Sequence, residues 1–276
     1  MLMTPARRYA LLLLGGVVAA ACIGGCSPDQ RFVNEYTLSK GLVLVLPGIE
    51  GASKFNDDIV SGIYDGGVDY AIEVYDWTSS FGPLVNLRSQ QRNRQKAYEI
   101  ADRITTYQLT YPGRPVILVG QSGGGAMALW TAEAMPTGHK VDGIVLLAAT
   151  LSPGYDVGPA LANTRRGIVS YYSSRDWIML GLGTTIAGTM DGEHSQSAGR
   201  VGFEKAYDKL YQVPWTSGMA QSGNYGVHVT SGSTDFVAAY VVPFIKAPAW
   251  NKAVVESIVH RYGRASAARL GVGHFT

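Results

Sequence analysis

Cysteine is scarce in this 276-residue sequence, and its near absence limits how the chain can be stabilised. The two cysteines, Cys22 and Cys26, both lie close to the start of the chain. No disulfide is therefore expected in the remainder, so a folded domain must depend on its apolar core. About 250 residues are enough to bury one such core. The apolar stretch 9–21 is broken by two glycines and is too short to span a bilayer.

The sequence also lacks a strong excess of charge. It carries 23 basic and 21 acidic residues. Removal of residues 1–25 would take away Arg7 and Arg8 and no acid, leaving 23 − 2 = 21 basic residues against 21 acidic ones. This balance argues against nucleic acid or a strongly acidic partner. No histidine or carboxylate cluster has ligand spacing, so we expect no metal or organic cofactor.

The N-terminus has the pattern of an export signal. Arg7 and Arg8 precede the apolar stretch, and Ile23-Gly24-Gly25-Cys26 resembles the lipobox of bacterial lipoproteins. We expect a signal peptide over 1–25, a lipidated tether over 26–40 that starts at Cys26, and one domain over 41–276. An ordinary secretory signal is the alternative. The prediction is an exported, lipid-anchored protein of a bacterial cell envelope, with the membrane as its partner.

Apolar runs along the chain predict the strands of a parallel sheet. The segment 42–46 is continuously apolar, as expected of a strand buried on both faces. Further strands are expected over 71–75, 116–119, 144–147, 168–172 and 210–215, and a helix over 92–109. Because strands and helices alternate, we expect an α/β domain with a mostly parallel sheet of about six strands and helices on both faces.

The segment Gly120-Gln121-Ser122-Gly123-Gly124 stands directly between a predicted strand and a predicted helix. The bare G-x-S-x-G pattern is weak in a chain with 34 glycines, but this junction is where a nucleophile elbow must lie. Gly120 and Gly124 would let neighbouring backbone pack closely, so that the Ser122 hydroxyl stands above the sheet edge. A flexible glycine loop is the alternative interpretation.

These features together resemble the α/β-hydrolases. The elbow, the strand ending in Pro47-Gly48-Ile49-Glu50-Gly51, and an acid and a histidine after later strands match that family over roughly residues 41–245. The two antiparallel strands that often open the fold are not evident, so the sheet is expected to begin at Leu42. A large cap domain is not expected.

The resemblance implies a triad in the order nucleophile, acid, histidine. His228 follows the last predicted strand, whereas His139, His194, His260 and His274 lie where the family does not place its base. Asp176 is the favoured acid because it follows the later strand, and Asp156 stays as the alternative. The implied oxyanion hole consists of the backbone N–H groups of Ile49 and Gly123.

The sequence therefore predicts a serine hydrolase acting on carboxylic esters, in which Ser122 attacks, His228 moves the proton and Asp176 orients His228. The apolar segment 178–190 is expected to be a lid or packed core, and uncharged acyl or lipid-like esters suit it best. An amidase, peptidase or acyltransferase on the same fold, and a non-catalytic scaffold, remain as alternatives.

Overall fold

A parallel sheet is the centre of the molecule. The computed structural model describes residues 30–177, 179–180, 184–185 and 188–259. Its strands are β1 (Leu42–Leu46), β2 (Ala71–Val74), β3 (Val116–Gln121), β4 (Gly143–Leu147), β5 (Ile168–Tyr172), the short antiparallel pair β6 (Met179–Leu180) and β7 (Thr184–Thr185), and β8 (Leu210–Pro214). The main sheet has the order β2-β1-β3-β4-β5-β8, with every neighbouring pair parallel. The predicted six-stranded parallel sheet is confirmed.

Helices cover both faces of this sheet, as predicted. They are α1 (Glu35–Leu38), α2 (Lys54–Asp65), α3 (Pro83–Arg88), α4 (Gln90–Thr110), α5 (Gly123–Glu133), α6 (Gly158–Ala162), α7 (Ala198–Val201), α8 (Thr234–Phe236) and α9 (Val242–Lys246). Two 3₁₀ turns occupy Ser217–Ser222 and His228–Thr230, and residues 252–259 are also helical. In the described ranges no helix is both long and apolar enough to cross a bilayer.

The alternating side chains of the strands supply two cores, one on each face. In β1, Leu42, Leu44 and Leu46 join the core that contains α4 and α5. Val43 and Val45 point the other way and join the core beneath α2 and α9. All five residues are fully buried. A strand with no polar face can only occupy the middle of a sheet covered on both sides.

The helical element that follows the His228 loop is divided into three parts. It consists of α8, a π-helical turn at Val237–Val241 and α9. Pro243 stands at the start of α9 and has no N–H to donate, so the α-helical ladder cannot run through this point unbroken. This three-part element packs on α2 and carries Tyr240, whose carbonyl accepts from the Tyr171 hydroxyl at 2.7 Å.

The described part of the predicted tether, residues 30–40, lies on the edge of the sheet. The Ile72 N–H of β2 donates to the Phe32 carbonyl at 3.2 Å, and the Tyr107 hydroxyl donates to the Leu38 carbonyl at 2.8 Å. Asn34 caps α1 through a hydrogen bond from the Thr37 N–H. The predicted signal peptide and Cys26 lie outside the described residues.

Candidate functional site

Ser122 stands on a sharp turn between β3 and α5. Its backbone has φ 54° and ψ −121°, a conformation that a residue with a side chain rarely adopts and that typically costs about 1–3 kcal/mol. The Ser122 N–H donates to the Leu147 carbonyl of β4 at 2.9 Å, and its carbonyl accepts from the Gly125 and Thr150 N–H groups. These bonds hold the strained turn at the carboxyl edge of the sheet.

Glycine at two positions lets backbone approach this turn. A Cβ atom on Gly120 would overlap the Gly124 carbonyl, and one on Gly124 would overlap the Leu46 carbonyl of β1. Neither glycine has a positive φ, so the requirement is for space and not for a special backbone conformation. The loop after β1 can pack against the start of α5 only because these side chains are absent.

Two backbone N–H groups meet beside Ser122. A Cβ on Gly123 would lie 2.7 Å from Ile49 Cγ2 and 3.4 Å from the Ile49 nitrogen, so the Ile49 N–H adjoins the residue that follows the serine. Neither the Ile49 N–H nor the Gly123 N–H has a hydrogen-bond acceptor in the part of the chain that the structure describes. Such unpaired donors can stabilise an oxyanion.

Two side chains hold the loop after β1 in place, and the sequence did not single out either. The indole N–H of the buried Trp77 donates to the Pro47 carbonyl at 2.7 Å. The buried Asn86 side chain donates to the Ile49 carbonyl at 2.9 Å. Each fixes the peptide on one side of the Ile49 donor, although Trp77 and Asn86 are far from it in sequence.

The structure brings His228 and Asp176 together. His228 Nδ1 lies 2.8 Å from Asp176 Oδ1, and the two side chains are 13% and 2% exposed. Asp176 Oδ2 is buried and has no hydrogen-bond partner among the residues described. The alternative acid, Asp156, has other partners: it accepts hydrogen bonds from the Gly158 N–H and the Tyr207 hydroxyl.

Contacts between side chains and backbone hold the loop that carries His228. Trp215 donates its indole N–H to the Asn224 carbonyl at 2.8 Å, and the Ser231 hydroxyl donates to the His228 carbonyl at 2.9 Å. A Cβ on Gly226, where φ is +80°, would meet Ser173 Oγ at 2.8 Å. Side-chain contacts to backbone therefore set the position of the imidazole.

The Ser122 hydroxyl is not hydrogen bonded to His228. Its partner is the Thr150 hydroxyl, at 3.1 Å between the two oxygens. Of the other histidines, His139 contacts Gln108 through Nδ1 at 2.9 Å and His194 is exposed in the loop before α7. His260 and His274 lie outside the described residues.

Glu50 introduces a carboxyl next to the site. Its side chain folds back so that the carboxyl lies over Gly48, directly beside the Ile49 peptide. Desolvation raises the pKa of Glu50, while its own backbone N–H and the charge of His228 act to lower that pKa and Asp76 acts to raise it. Burial is therefore the main influence on the Glu50 carboxyl, and His228 is a lesser one.

Exposed apolar side chains lie in the same three segments of the chain as Asn86, Asp176 and His228. These segments follow β2, β5 and β8, and two of the side chains flank His228 in sequence: Phe81, Leu84, Val85, Trp177, Tyr225, Val227 and Val229. Of the segment 178–190, predicted to be a lid or core, the structure describes residues 179–180, 184–185 and 188–190, and Met190 is fully buried. Within the described ranges, no three histidine, cysteine or carboxylate side chains are grouped to hold a metal ion.

Comparison with solved structures agrees with this architecture. Lipase B from Aspergillus fumigatus matches with a TM-score of 0.52 at 12% identity, over 77% of this chain and 54% of that one. The chain has the α/β-hydrolase fold. It spans about half the length of that lipase. A pyrethroid hydrolase from Sphingobium faniae also matches, with a TM-score of 0.47 at 14% identity, over 75% of this chain and 98% of that one. No protein-family model matches the sequence, and no curated protein matches it by sequence similarity.

Proposed function

We propose that the chain is a serine hydrolase that cleaves carboxylic esters. The observation that carries this proposal is the strained Ser122 turn. The unpaired N–H groups of Ile49 and Gly123 lie next to each other beside this turn. Such a turn presents a serine side chain at the end of a strand, which suits a nucleophile attacking a carbonyl. The His228–Asp176 pair at the same edge supplies a base with an orienting acid.

In the proposed reaction Ser122 Oγ attacks the ester carbonyl carbon while His228 Nε2 takes the hydroxyl proton. The carbonyl oxygen becomes negative and accepts hydrogen bonds from the Ile49 and Gly123 N–H groups, each worth about 3–4 kcal/mol in comparable sites. The tetrahedral intermediate collapses, and the imidazolium gives its proton to the departing alcohol. Water then hydrolyses the acyl-enzyme by the same steps, with Asp176 ionised throughout.

The imidazole must approach Ser122 for this chemistry, because the two are not hydrogen bonded in the structure. Catalytic hydrogen bonds of this kind are often long before substrate binds. His228 begins a short 3₁₀ turn in a loop with exposed residues on either side of it, and we infer that this loop adjusts when substrate binds.

Labelling with a fluorophosphonate probe tests the proposal. Wild type should be labelled and the Ser122→Ala variant should not, while the exposed-residue control Ser195→Ala should be labelled as wild type is. Equal labelling of wild type and Ser122→Ala would remove Ser122 from the mechanism. Absence of labelling in wild type would favour a non-catalytic scaffold.

We further propose that the substrates are uncharged acyl or lipid-like esters. The exposed apolar side chains in the segments that carry Asp176 and His228 support this, because contact with a neutral acyl chain would remove them from water. A chain-length series of nitrophenyl esters should show kcat/KM rising with acyl length. Cleavage of amides but of no ester would indicate an amidase or peptidase, and transfer to an added alcohol would indicate an acyltransferase.

A lipid anchor at Cys26 remains a proposal from the sequence alone. A single acyl chain binds a membrane only marginally, and a lipidated N-terminal cysteine would carry at least two. We expect the wild-type protein in the membrane fraction and the Cys26→Ser variant outside it. Retention of Cys26→Ser in the membrane would contradict the anchor.

A further inference from the structure

The hydroxyl of Thr150 lies closer to the reacting oxygen than its place in the sequence suggests. Thr150 follows β4 and is 28 residues from Ser122, yet its Oγ1 lies 3.1 Å from Ser122 Oγ. Thr150 and Ser122 are 2% and 5% exposed. The described residues offer the Thr150 hydroxyl no other hydrogen-bond partner. Two hydroxyls buried as a pair are an arrangement that the G-x-S-x-G pattern does not require.

Thr150 is held against the elbow through its backbone. Its N–H donates to the Ser122 carbonyl at 3.0 Å, and its carbonyl accepts from the Met190 N–H at 3.0 Å. A β-branched side chain has few rotamers, so a fixed backbone leaves the Thr150 hydroxyl with little choice of direction. The contact with Ser122 Oγ is therefore built into the fold.

Two further glycines allow the loop after β4 to come this close. A Cβ on Gly125, which stands outside the five-residue elbow pattern, would lie 2.7 Å from Ala149 Cβ. A Cβ on Gly199 would overlap the Ala148 backbone from the other side. Ala148 itself has φ 52°. Small residues and an uncommon backbone conformation thus allow the loop to place Thr150 beside Ser122.

We propose that Thr150 donates its hydroxyl hydrogen to Ser122 Oγ during acylation, which makes it a further catalytic residue of the proposed reaction. Only one proton can lie between the two oxygens. When the Ser122 proton is directed to His228 Nε2, the proton between Ser122 and Thr150 must belong to Thr150.

The step is balanced without a further reactant. Ser122 Oγ forms a bond to the carbonyl carbon, its proton passes to His228, and the carbonyl π electrons move to the oxygen held by Ile49 and Gly123. Thr150 keeps its proton throughout. As negative charge gathers on Oγ, the hydrogen bond from Thr150 becomes charge-assisted and stronger. The same bond stabilises Oγ when it leaves during deacylation.

The experiment measures the second-order rate of fluorophosphonate labelling, and kcat and KM for a nitrophenyl ester, in three variants. Thr150→Val removes the hydroxyl at similar volume, and Thr150→Ser retains it. Thr131→Val is the matched control, because Thr131 is buried in α5 and its hydroxyl has no partner among the described residues. Thermal unfolding of each variant shows whether it is folded.

We expect Thr150→Val to label about 10- to 100-fold more slowly and to lower kcat with little change in KM, consistent with the loss of one donor to a developing charge. The labelling rate of Thr150→Ser should stay within about threefold of the wild-type rate, and that of Thr131→Val should equal the wild-type rate. Labelling of Thr150→Val at or above the wild-type rate would overturn the proposal, as would Thr150→Ser being equally slow. A wild type without labelling at Ser122 would overturn the proposed function and the role of Thr150 with it.

Discussion

The two halves of the candidate site are built by different means. Ser122, Gly123 and Ile49 lie on backbone that is packed against backbone, with glycines at each close approach and nearly complete burial. His228 and Asp176 lie in segments after β8 and β5, where hydrogen bonds from side chains to backbone hold the His228 loop and several apolar side chains are exposed. The first half is preorganised by the sheet. The second lies on loops, and the proposed reaction requires its imidazole to move toward Ser122 when substrate binds.

The largest effect should come from the half that lies on loops. His228→Ala is expected to lower kcat for a nitrophenyl ester by about 10⁵- to 10⁶-fold, because losing the base of a triad costs nearly as much as losing the nucleophile. His194→Ala, an exposed loop histidine, is the control and should retain wild-type rates. Comparable activity in both variants would mean that His228 is not the base.

The next effect distinguishes the two candidate acids. Asp176→Asn should lower kcat by about 10⁴-fold, because an amide in this position favours the wrong imidazole tautomer. Asp156→Asn should change kcat by less than about twofold, since Asp156 contacts Gly158 and Tyr207 instead of His228. Steady-state kinetics on purified variants decides between them, and the reverse order of effects would assign the acid to Asp156.

Substitutions in the half that is packed backbone against backbone should lower the stability of the fold. Gly124→Ala places a Cβ onto the Leu46 carbonyl, where neither strand nor helix can move freely, so we expect a loss of about 3 kcal/mol or more in the free energy of unfolding. Gly154→Ala is the control, because its Cβ would only make an ordinary contact with Glu204. Chemical denaturation of both variants measures the difference. Equal stabilities would show that the close approach at Gly124 is not rigid.

Substitution of Glu50, which follows Ile49 in the loop after β1, should have the smallest of these effects. Its folded-state pKa is raised, so the protonated carboxyl favours the folded state; that contribution is complete below about pH 4 and is lost as pH rises through the folded pKa. We expect Glu50→Gln to be more stable than wild type at pH 7, by less than about 1 kcal/mol because water screens this partly exposed group. The gain should vanish at low pH.

Denaturation at pH 7 and near pH 4 measures the effect of Glu50. The exposed Glu256 provides the control variant Glu256→Gln, which should not gain stability selectively at pH 7. A Glu50→Gln variant less stable than wild type at neutral pH would mean that the carboxylate makes a favourable contact in the fold.

The sequence predicted the parts of the molecule that depend on local pattern. Continuous apolar runs placed the strands, since burial on both faces leaves no polar position, although β3 continues to Gln121 and α4 begins at Gln90, just beyond the predicted bounds. The elbow was predicted because its glycines are neighbours in sequence. Chain order also indicated His228 and Asp176, which the structure brings into contact at 2.8 Å.

Other parts depend on contacts between distant segments and left no such signal. Trp77 and Asn86 fix the loop after β1 through carbonyl oxygens, and any buried tryptophan or asparagine could look the same in sequence. Thr150 is likewise one threonine among many. The one hint in the sequence was Gly125, a glycine just outside the elbow pattern. Because Gly125 has no side chain, the loop after β4 can approach α5 at this point.

The most direct test is a crystal structure of the protein after reaction with a fluorophosphonate. The proposed reaction predicts a phosphonyl group on Ser122 Oγ, with its oxygen about 3 Å from the Ile49 and Gly123 nitrogens and the His228 ring turned toward Ser122. An adduct on another residue, or a phosphonyl oxygen directed away from both nitrogens with His228 remote, would contradict it.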